Sequence, residues 1–265
     1  MIIVYGPWQE ELFIKSADIY SKVLLSGIET AKEEAMKLKA LFLEHVVPGG
    51  GTILDVPCGI GRHSFALAEE GFNVVGVDFS PPFIEKAREL AEERGVDDRC
   101  EFIVGDMRVI GDVLKGYTFN AVVNMFTSIG YYTDETDVDI LRQLHGLASQ
   151  GGILVIDTIN RDWIVRHFCR GDVMTTPDGG LTWLAERKLN LETSRQEMRW
   201  RFYKPEGDDL RHVKTVEINH RLYSLHELKG AVEKAGWTYK ACYGSMEMGE
   251  FTTDANRLVL IAGRE

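Results

Sequence analysis

The chain has 265 residues, 45% hydrophobic and 10% aromatic, enough apolar material for the core of one large domain, or one domain with an insertion, and too much for global disorder. Its formal net charge of -11 argues against a broad nucleic-acid footprint, which needs clustered Lys and Arg. The four cysteines, Cys58, Cys100, Cys169 and Cys242, form no C-x-x-C pair, so reduced thiols in a cytoplasmic protein are expected, with no zinc site and no disulfide framework.

In chain order, the N-terminal segment Met1 to Pro7 lacks the basic flank and long apolar core of a signal peptide. No apolar run is long enough to span a bilayer. Trp8 to Val47 reads as helical, with Leu38, Leu41, Phe42 and Val46 at helical spacing, and Pro48-Gly49-Gly50-Gly51 stops it. Strands and helices then alternate. Strands are expected at Thr52 to Val56, Asn73 to Asp78, Glu101 to Asp106, Phe119 to Asn124 and Ile153 to Thr158. Helices are expected around Phe65 to Gly71, from Ser80-Pro81-Pro82 to about Gly95, and from Asp134 to Ala148. This alternation predicts an α/β fold with a mostly parallel sheet covered on both faces.

Beyond Leu181 the pattern becomes one of alternating apolar and polar residues. Trp183 to Arg187, Glu197 to Tyr203 and Val213 to Ile218 read as three antiparallel strands. Ser224 and Glu227 have the spacing of a capping box that opens a helix. Trp237 to Tyr243 and Arg257 to Ala262 are the last two strands expected.

The chemistry gathers where the predicted parallel strands end. Asp55-Val56-Pro57-Cys58-Gly59-Ile60-Gly61 joins a strand to a helix by a glycine turn, the geometry of a nucleotide-binding corner. Two features depart from the dinucleotide fingerprint. Ser64 replaces its third glycine, and Asp55 would repel a pyrophosphate. A ligand with an ammonium and a sulfonium suits this turn better. Asp55 would receive the ammonium, and the helix N-terminus would receive a carboxylate. Asp78, ending the second strand, is placed to accept two ribose hydroxyls. Asp106 can accept an adenine amine, with Met107 as an apolar wall. In Asn124-Met125-Phe126-Thr127-Ser128-Ile129-Gly130-Tyr131-Tyr132, the rings of Phe126, Tyr131 and Tyr132 would wall a transfer site, since aromatic faces attract cations. After the fifth strand, Asn160, Arg161 and Trp163 are candidates to hydrogen-bond, charge-pair and wall an acceptor. His63, His145 and His167 are the histidines to consider as a base or substrate contact, and none is decisive.

These motifs resemble those of class I S-adenosylmethionine-dependent methyltransferases. Asp55 to Gly61 is similar to that family's D-x-x-C-G-x-G turn, Asp78 to its ribose acid, Gly105-Asp106-Met107 to its adenine-side motif, and Leu147 to Asp157 to its L-x-x-G-G-x-L lead-in. Pro57 departs from the small residue usual there. The resemblance covers residues 48–158 well and the last forty or so loosely. It implies a three-layer Rossmann-like fold whose seven-stranded sheet contains Arg257 to Ala262 as a reversed strand. An N-terminal helical lid (1–47) and an antiparallel β insertion (159–222) would flank the core (48–158 and 223–265). S-adenosylmethionine is the implied cofactor, held by Asp55, Pro57, Cys58, Gly59, Gly61, Asp78, Phe79, Asp106, Met107, Asn124, Met125 and Phe126. Tyr20 would either touch it from the lid or pack in the core. The acceptor would be a small molecule, an amine or a hydroxyl, contacted by Tyr131, Tyr132, Asn160, Arg161, Trp163 and His63. No metal, membrane or nucleic-acid partner is expected, and the assembly would be a monomer or homodimer. The rival readings are an NAD-dependent oxidoreductase, an RNA methyltransferase and a protein that only binds the cofactor.

Overall fold

A computed structural model of the chain describes residues 7–265 except 46 and 48. The expectations for Met1 to Gly6, Val46 and Pro48 therefore lie outside the described residues. The N-terminal helical region consists of three helices, α1 (Pro7–Phe13), α2 (Ala17–Leu25) and α3 (Ile28–Glu44). Breaks at Ser16 and Gly27, the residues preceding α2 and α3, separate them. β1 (Thr52–Asp55) leads through the glycine turn into α4 (Arg62–Glu69). That helix starts at Arg62 rather than Phe65, because Gly61 precedes it with φ of 78°, a conformation that suits a residue without a Cβ.

β2 (Asn73–Asp78), α5 (Pro81–Arg94), β3 (Cys100–Val104), α6 (Ile110–Val113), β4 (Phe119–Asn124), α7 (Asp134–Leu147) and β5 (Ala148–Ile159) follow. Ser80 caps α5 by accepting the Phe83 N–H, with proline at the first helical position. β5 begins at Ala148, ahead of the expected Ile153, and its first residue pairs with Phe119 across a register irregularity. Then come α8 (Arg161–Arg166), the strands β6 (Gly171–Thr175), β7 (Thr182–Asn190), β8 (Arg195–Glu206) and β9 (Asp209–Arg221), helix α9 (Leu225–Lys234), β10 (Thr238–Tyr243) and β11 (Arg257–Gly263). The Ser224–Glu227 capping box is present at the start of α9.

The seven-stranded sheet runs β10-β11-β5-β4-β1-β2-β3, with β11 antiparallel to both neighbours and β1 to β5 mutually parallel. Alternate residues feed two separate cores, as the period of two requires. Ile53, Ala121, Val123, Val155 and Ile261 face the layer containing α3, α4 and α5. Leu54, Val122, Leu154 and Leu260 face the layer containing α7 and α9. The two windings diverge between β1 and β4, and the crevice at the carboxyl ends of these strands is where such sheets bind ligands.

The antiparallel sheet has four strands, β6-β7-β8-β9, where three were expected. The extra strand, β6, is a mostly exposed edge that pairs only with β7, so it lacks the apolar alternation that marks a half-buried strand. Among the described residues, no helix is long and apolar enough to cross a membrane.

Candidate active site

The ends of β1, β2 and β4, the turn after β3 and the N-terminal helices enclose a narrow cavity of about 60 Å³. Pro57, Cys58, Gly59, Arg62, His63, Asp78, Phe79, Met107, Met125, Phe126 and Tyr131 are among its lining residues, and Phe13, Tyr20 and Leu24 close it from α1 and α2. In its wall, Asp78 Oδ2 accepts the Gly59 N–H at 2.9 Å and Oδ1 accepts the Ser80 N–H at 2.9 Å. Burial pushes the Asp78 carboxyl up to about 6, against the pull of these two backbone donors. Each oxygen keeps further lone-pair capacity for hydroxyl donors.

A second cavity, of about 390 Å³, adjoins the first and shares Phe13, Tyr20, Phe126 and Tyr131 with it. The inner face of the antiparallel sheet supplies Met198, Trp200, Ile218 and His220, while α1 supplies Trp8 and α8 supplies Trp163. Trp8 meets Tyr131 edge to face with ring centroids 5.2 Å apart, and Tyr131 meets the His220 ring at 5.6 Å. His220 Nε2 lies 2.8 Å from the Ile129 carbonyl. A carbonyl only accepts, so Nε2 carries the hydrogen and Nδ1 keeps its lone pair. Burial lowers the pKa of this imidazole to about 4, so it is neutral at ordinary pH.

The loop between the two cavities is tied down by a charged pair. Arg257 Nε donates to Asp157 Oδ1 at 2.8 Å, a second guanidinium nitrogen binds Oδ2, and Arg257 also donates to the Thr127 hydroxyl. Asp157 in turn accepts the Phe126 N–H at 3.2 Å through its carboxylate and the Thr127 N–H through its backbone carbonyl. Phe126 and Thr127 both adopt positive φ, which this network holds in place.

Several predicted site residues lie elsewhere. Asp55 is buried beneath the turn and accepts the Ser64 hydroxyl at 2.6 Å, so Ser64 supports Asp55 and neither residue lines the cavity. Gly61 is a packing glycine, since a Cβ there would stand 2.9 Å from the Phe102 ring. Asp106 caps the turn after β3 through the Arg108 N–H and pairs with the Arg108 guanidinium at 2.7 Å, away from the cavity wall that Met107 forms. Tyr132 lies under that guanidinium, 4.9 Å from ring centroid to Cζ, and lines neither cavity. Asn124 donates to the Val56 carbonyl behind the turn. Asn160 is fully buried, caps α8 and donates to the Thr252 and Ala255 carbonyls, which leaves it structural. Arg161 is spent on the Ser194 hydroxyl and Asp162. His63 lines the first cavity rather than the second and pairs with Glu34 of α3 at 2.7 Å. Tyr20, Tyr131 and Trp163 do reach the second cavity.

Arg62, Trp8, Trp200 and His220 line the cavities but carried no assigned role in the sequence. Arg62 did leave a signal. A cation in the first turn of a helix opposes the helix dipole and calls for a compensating reason. The other three are brought together by contacts between segments far apart in sequence, which leave no local pattern.

The donor set fits S-adenosylmethionine. Asp78 offers acceptors for the ribose hydroxyls, Arg62 is a buried cation in the same cavity, and Phe79, Met107 and Met125 offer apolar walls. Comparison with known proteins agrees. The chain belongs to a methyltransferase family, whose methyltransferase-domain model matches residues 49–219. It is an S-adenosylmethionine-dependent methyltransferase of class I, which sets aside the NAD-dependent oxidoreductase reading. It is 27% identical over 236 residues to the dTDP-3-amino-3,6-dideoxy-alpha-D-glucopyranose N,N-dimethyltransferase of Streptomyces fradiae, covering 87% of this chain and 86% of that one. The CcbJ methyltransferase from Streptomyces caelestis has the same fold, with a TM-score of 0.74 at 20% identity over 88% of each chain. So does S-adenosylmethionine-bound CalS10, an amino pentose methyltransferase from Micromonospora echinaspora, with a TM-score of 0.70 at 20% identity over 93% of this chain and 97% of that one.

Proposed function

We propose that the protein methylates the nitrogen of a small-molecule amine held in the 390 Å³ cavity. The observation that carries this reading is the cavity itself, a space walled by Trp8, Tyr131, Trp163 and Trp200 that adjoins the cofactor cleft and shares Phe13, Tyr20, Phe126 and Tyr131 with it. When bound, S-adenosylmethionine supplies a methyl group already activated as a sulfonium. The protein's own tasks are then to position the acceptor and exclude water. A neutral amine needs no strong base, and the neutral imidazole of His220 suits hydrogen-bond acceptance at Nδ1 better than proton abstraction. The aromatic faces favour the cationic character that a nitrogen gains on methylation. The Streptomyces fradiae relative, named for N,N-dimethylation of an amino sugar, supports the same class of acceptor. The net charge of -11 weighs against RNA.

The test follows S-adenosylhomocysteine formation with a panel of small amines beside their hydroxyl counterparts. Turnover confined to amines is expected, and turnover of hydroxyl compounds or RNA alone would overturn the reading.

The same proposal keeps the division into a cap (1–47), a core (48–158 with 223–265) and an insertion (159–222). It also includes a cytoplasmic location, which the four free thiols support. A monomer or homodimer is expected, with the exposed face of the antiparallel sheet as the pairing surface. Sedimentation analysis separates the two states.

A further inference from the structure

Arg62 is 6% exposed and lines the cofactor cavity. Its guanidinium donates to the Gly27 carbonyl at 3.1 Å and lies over the Phe126 ring, 4.5 Å from Cζ to centroid. Among the described residues, no carboxylate stands within ion-pair distance of it. The nearby acids are committed elsewhere, Glu34 to His63 and Asp55 to Ser64. The other buried arginine with a full set of contacts, Arg221, pairs with both Asp134 and Glu227. A buried guanidinium held by one neutral carbonyl and one ring is short of a counter-charge. Gly27 makes room for it, since a Cβ at that position would collide with Arg62 Nη1.

We propose that Arg62 is the anion subsite of the cofactor cleft and receives the α-carboxylate of S-adenosylmethionine. This rests on the assignment of the cleft to that cofactor. The Gly27 contact and the Phe126 ring fix the plane of the guanidinium, leaving its remaining N–H groups for a carboxylate in forked geometry. With Asp78 as the acceptor for the ribose, the two residues put a cation and an anion in one cavity. They thereby set the direction in which the cofactor lies.

Calorimetric titration of the full-length protein with S-adenosylhomocysteine, and with 5′-methylthioadenosine, which keeps the nucleoside and lacks the amino acid, tests the assignment. Arg62→Met is expected to weaken S-adenosylhomocysteine binding about 10- to 100-fold while leaving 5′-methylthioadenosine within about twofold. Arg62→Lys is expected to recover part of the loss. Equal weakening of both ligands, or no weakening of either, would overturn the role and leave Arg62 a packing residue. A comparison that needs no variant uses decarboxylated S-adenosylmethionine on the unaltered protein. It should bind about 10-fold or more weaker than S-adenosylmethionine, and equal affinity would overturn the proposal. Failure of the unaltered protein to bind any of these ligands would instead remove the cofactor assignment on which the proposal stands.

Discussion

Asp78 Oδ2 accepts the backbone N–H of Gly59 at 2.9 Å, which joins the acid at the end of β2 to the glycine turn after β1. The contact needs Gly59 in its left-handed conformation, with φ of 56°. It holds the carboxylate at the cavity wall, where the hydroxyl-binding group is needed. Replacing Asp78 with Asn removes the charge that strengthens bonds to two hydroxyls. Affinity for S-adenosylhomocysteine is expected to fall about 10- to 100-fold, equivalent to ~1.5–3 kcal/mol. Calorimetric titration checks this, and an unchanged Kd would contradict it.

The raised carboxyl of Asp78 also sets a pH dependence. Its pKa of about 6 means that the free protein carries a growing fraction of neutral Asp78 as pH falls through 6. Only the ionised form accepts both ribose hydroxyls, so cofactor affinity should be flat above pH 7 and decline below 6, with proton release on binding near pH 5.5. Buffer-dependent binding enthalpy measures that release. Asp78→Asn should abolish the slope. His220, neutral above about pH 5, should add no step of its own between pH 6 and 8.

Gly61→Ala is expected to cost about 1–3 kcal/mol of stability. The added Cβ meets Phe102 at 2.9 Å and Ala87 at 3.1 Å, and the backbone φ of 78° disfavours any side chain. Cofactor affinity of the fraction that remains folded should stay near that of the unaltered protein, because Gly61 packs α4 against the sheet and does not touch the cavity. Denaturant unfolding with a parallel titration separates the two quantities.

The turn, the strand-end acids and the alternation of strands and helices were legible in the sequence because each depends on neighbours close in the chain. The reversed position of β11 followed from family resemblance, and no local pattern required it. What the sequence obscured was the direction in which a side chain points. Asp106 reads as a ligand acid, but Arg108, two residues on, claims its carboxylate. Asn160 and Arg161 sit on the ligand edge of the sheet, yet their polar groups satisfy the 252–255 segment and Ser194. Trp8 and His220 come together only when α1 packs against β9 and the inner face of the antiparallel sheet closes over Tyr131.

Asn160→Ala is expected to lower stability by about 2–3 kcal/mol, through loss of the α8 cap and of two buried hydrogen bonds. Kinetic constants for the acceptor should change little in protein that remains folded. A large rise in acceptor KM with unchanged stability would return Asn160 to a substrate-binding role.

Trp8→Ala should act in the opposite way. It removes a wall of the second cavity and leaves the lining of the first intact. The acceptor KM is expected to rise about 10-fold with the cofactor Kd unchanged within about twofold, from the loss of aromatic contact area. Steady-state kinetics at saturating cofactor, with a separate cofactor titration, would show the split.

The most direct test of the whole account is a crystal structure with S-adenosylhomocysteine bound. The ribose hydroxyls should lie within hydrogen-bond distance of Asp78, with the nucleoside between Phe79 and Met107. The sulfur should face the cavity walled by Trp8, Tyr131 and Trp200. Ligand bound away from Asp78 and Gly59, or a sulfur turned away from that cavity, would contradict it.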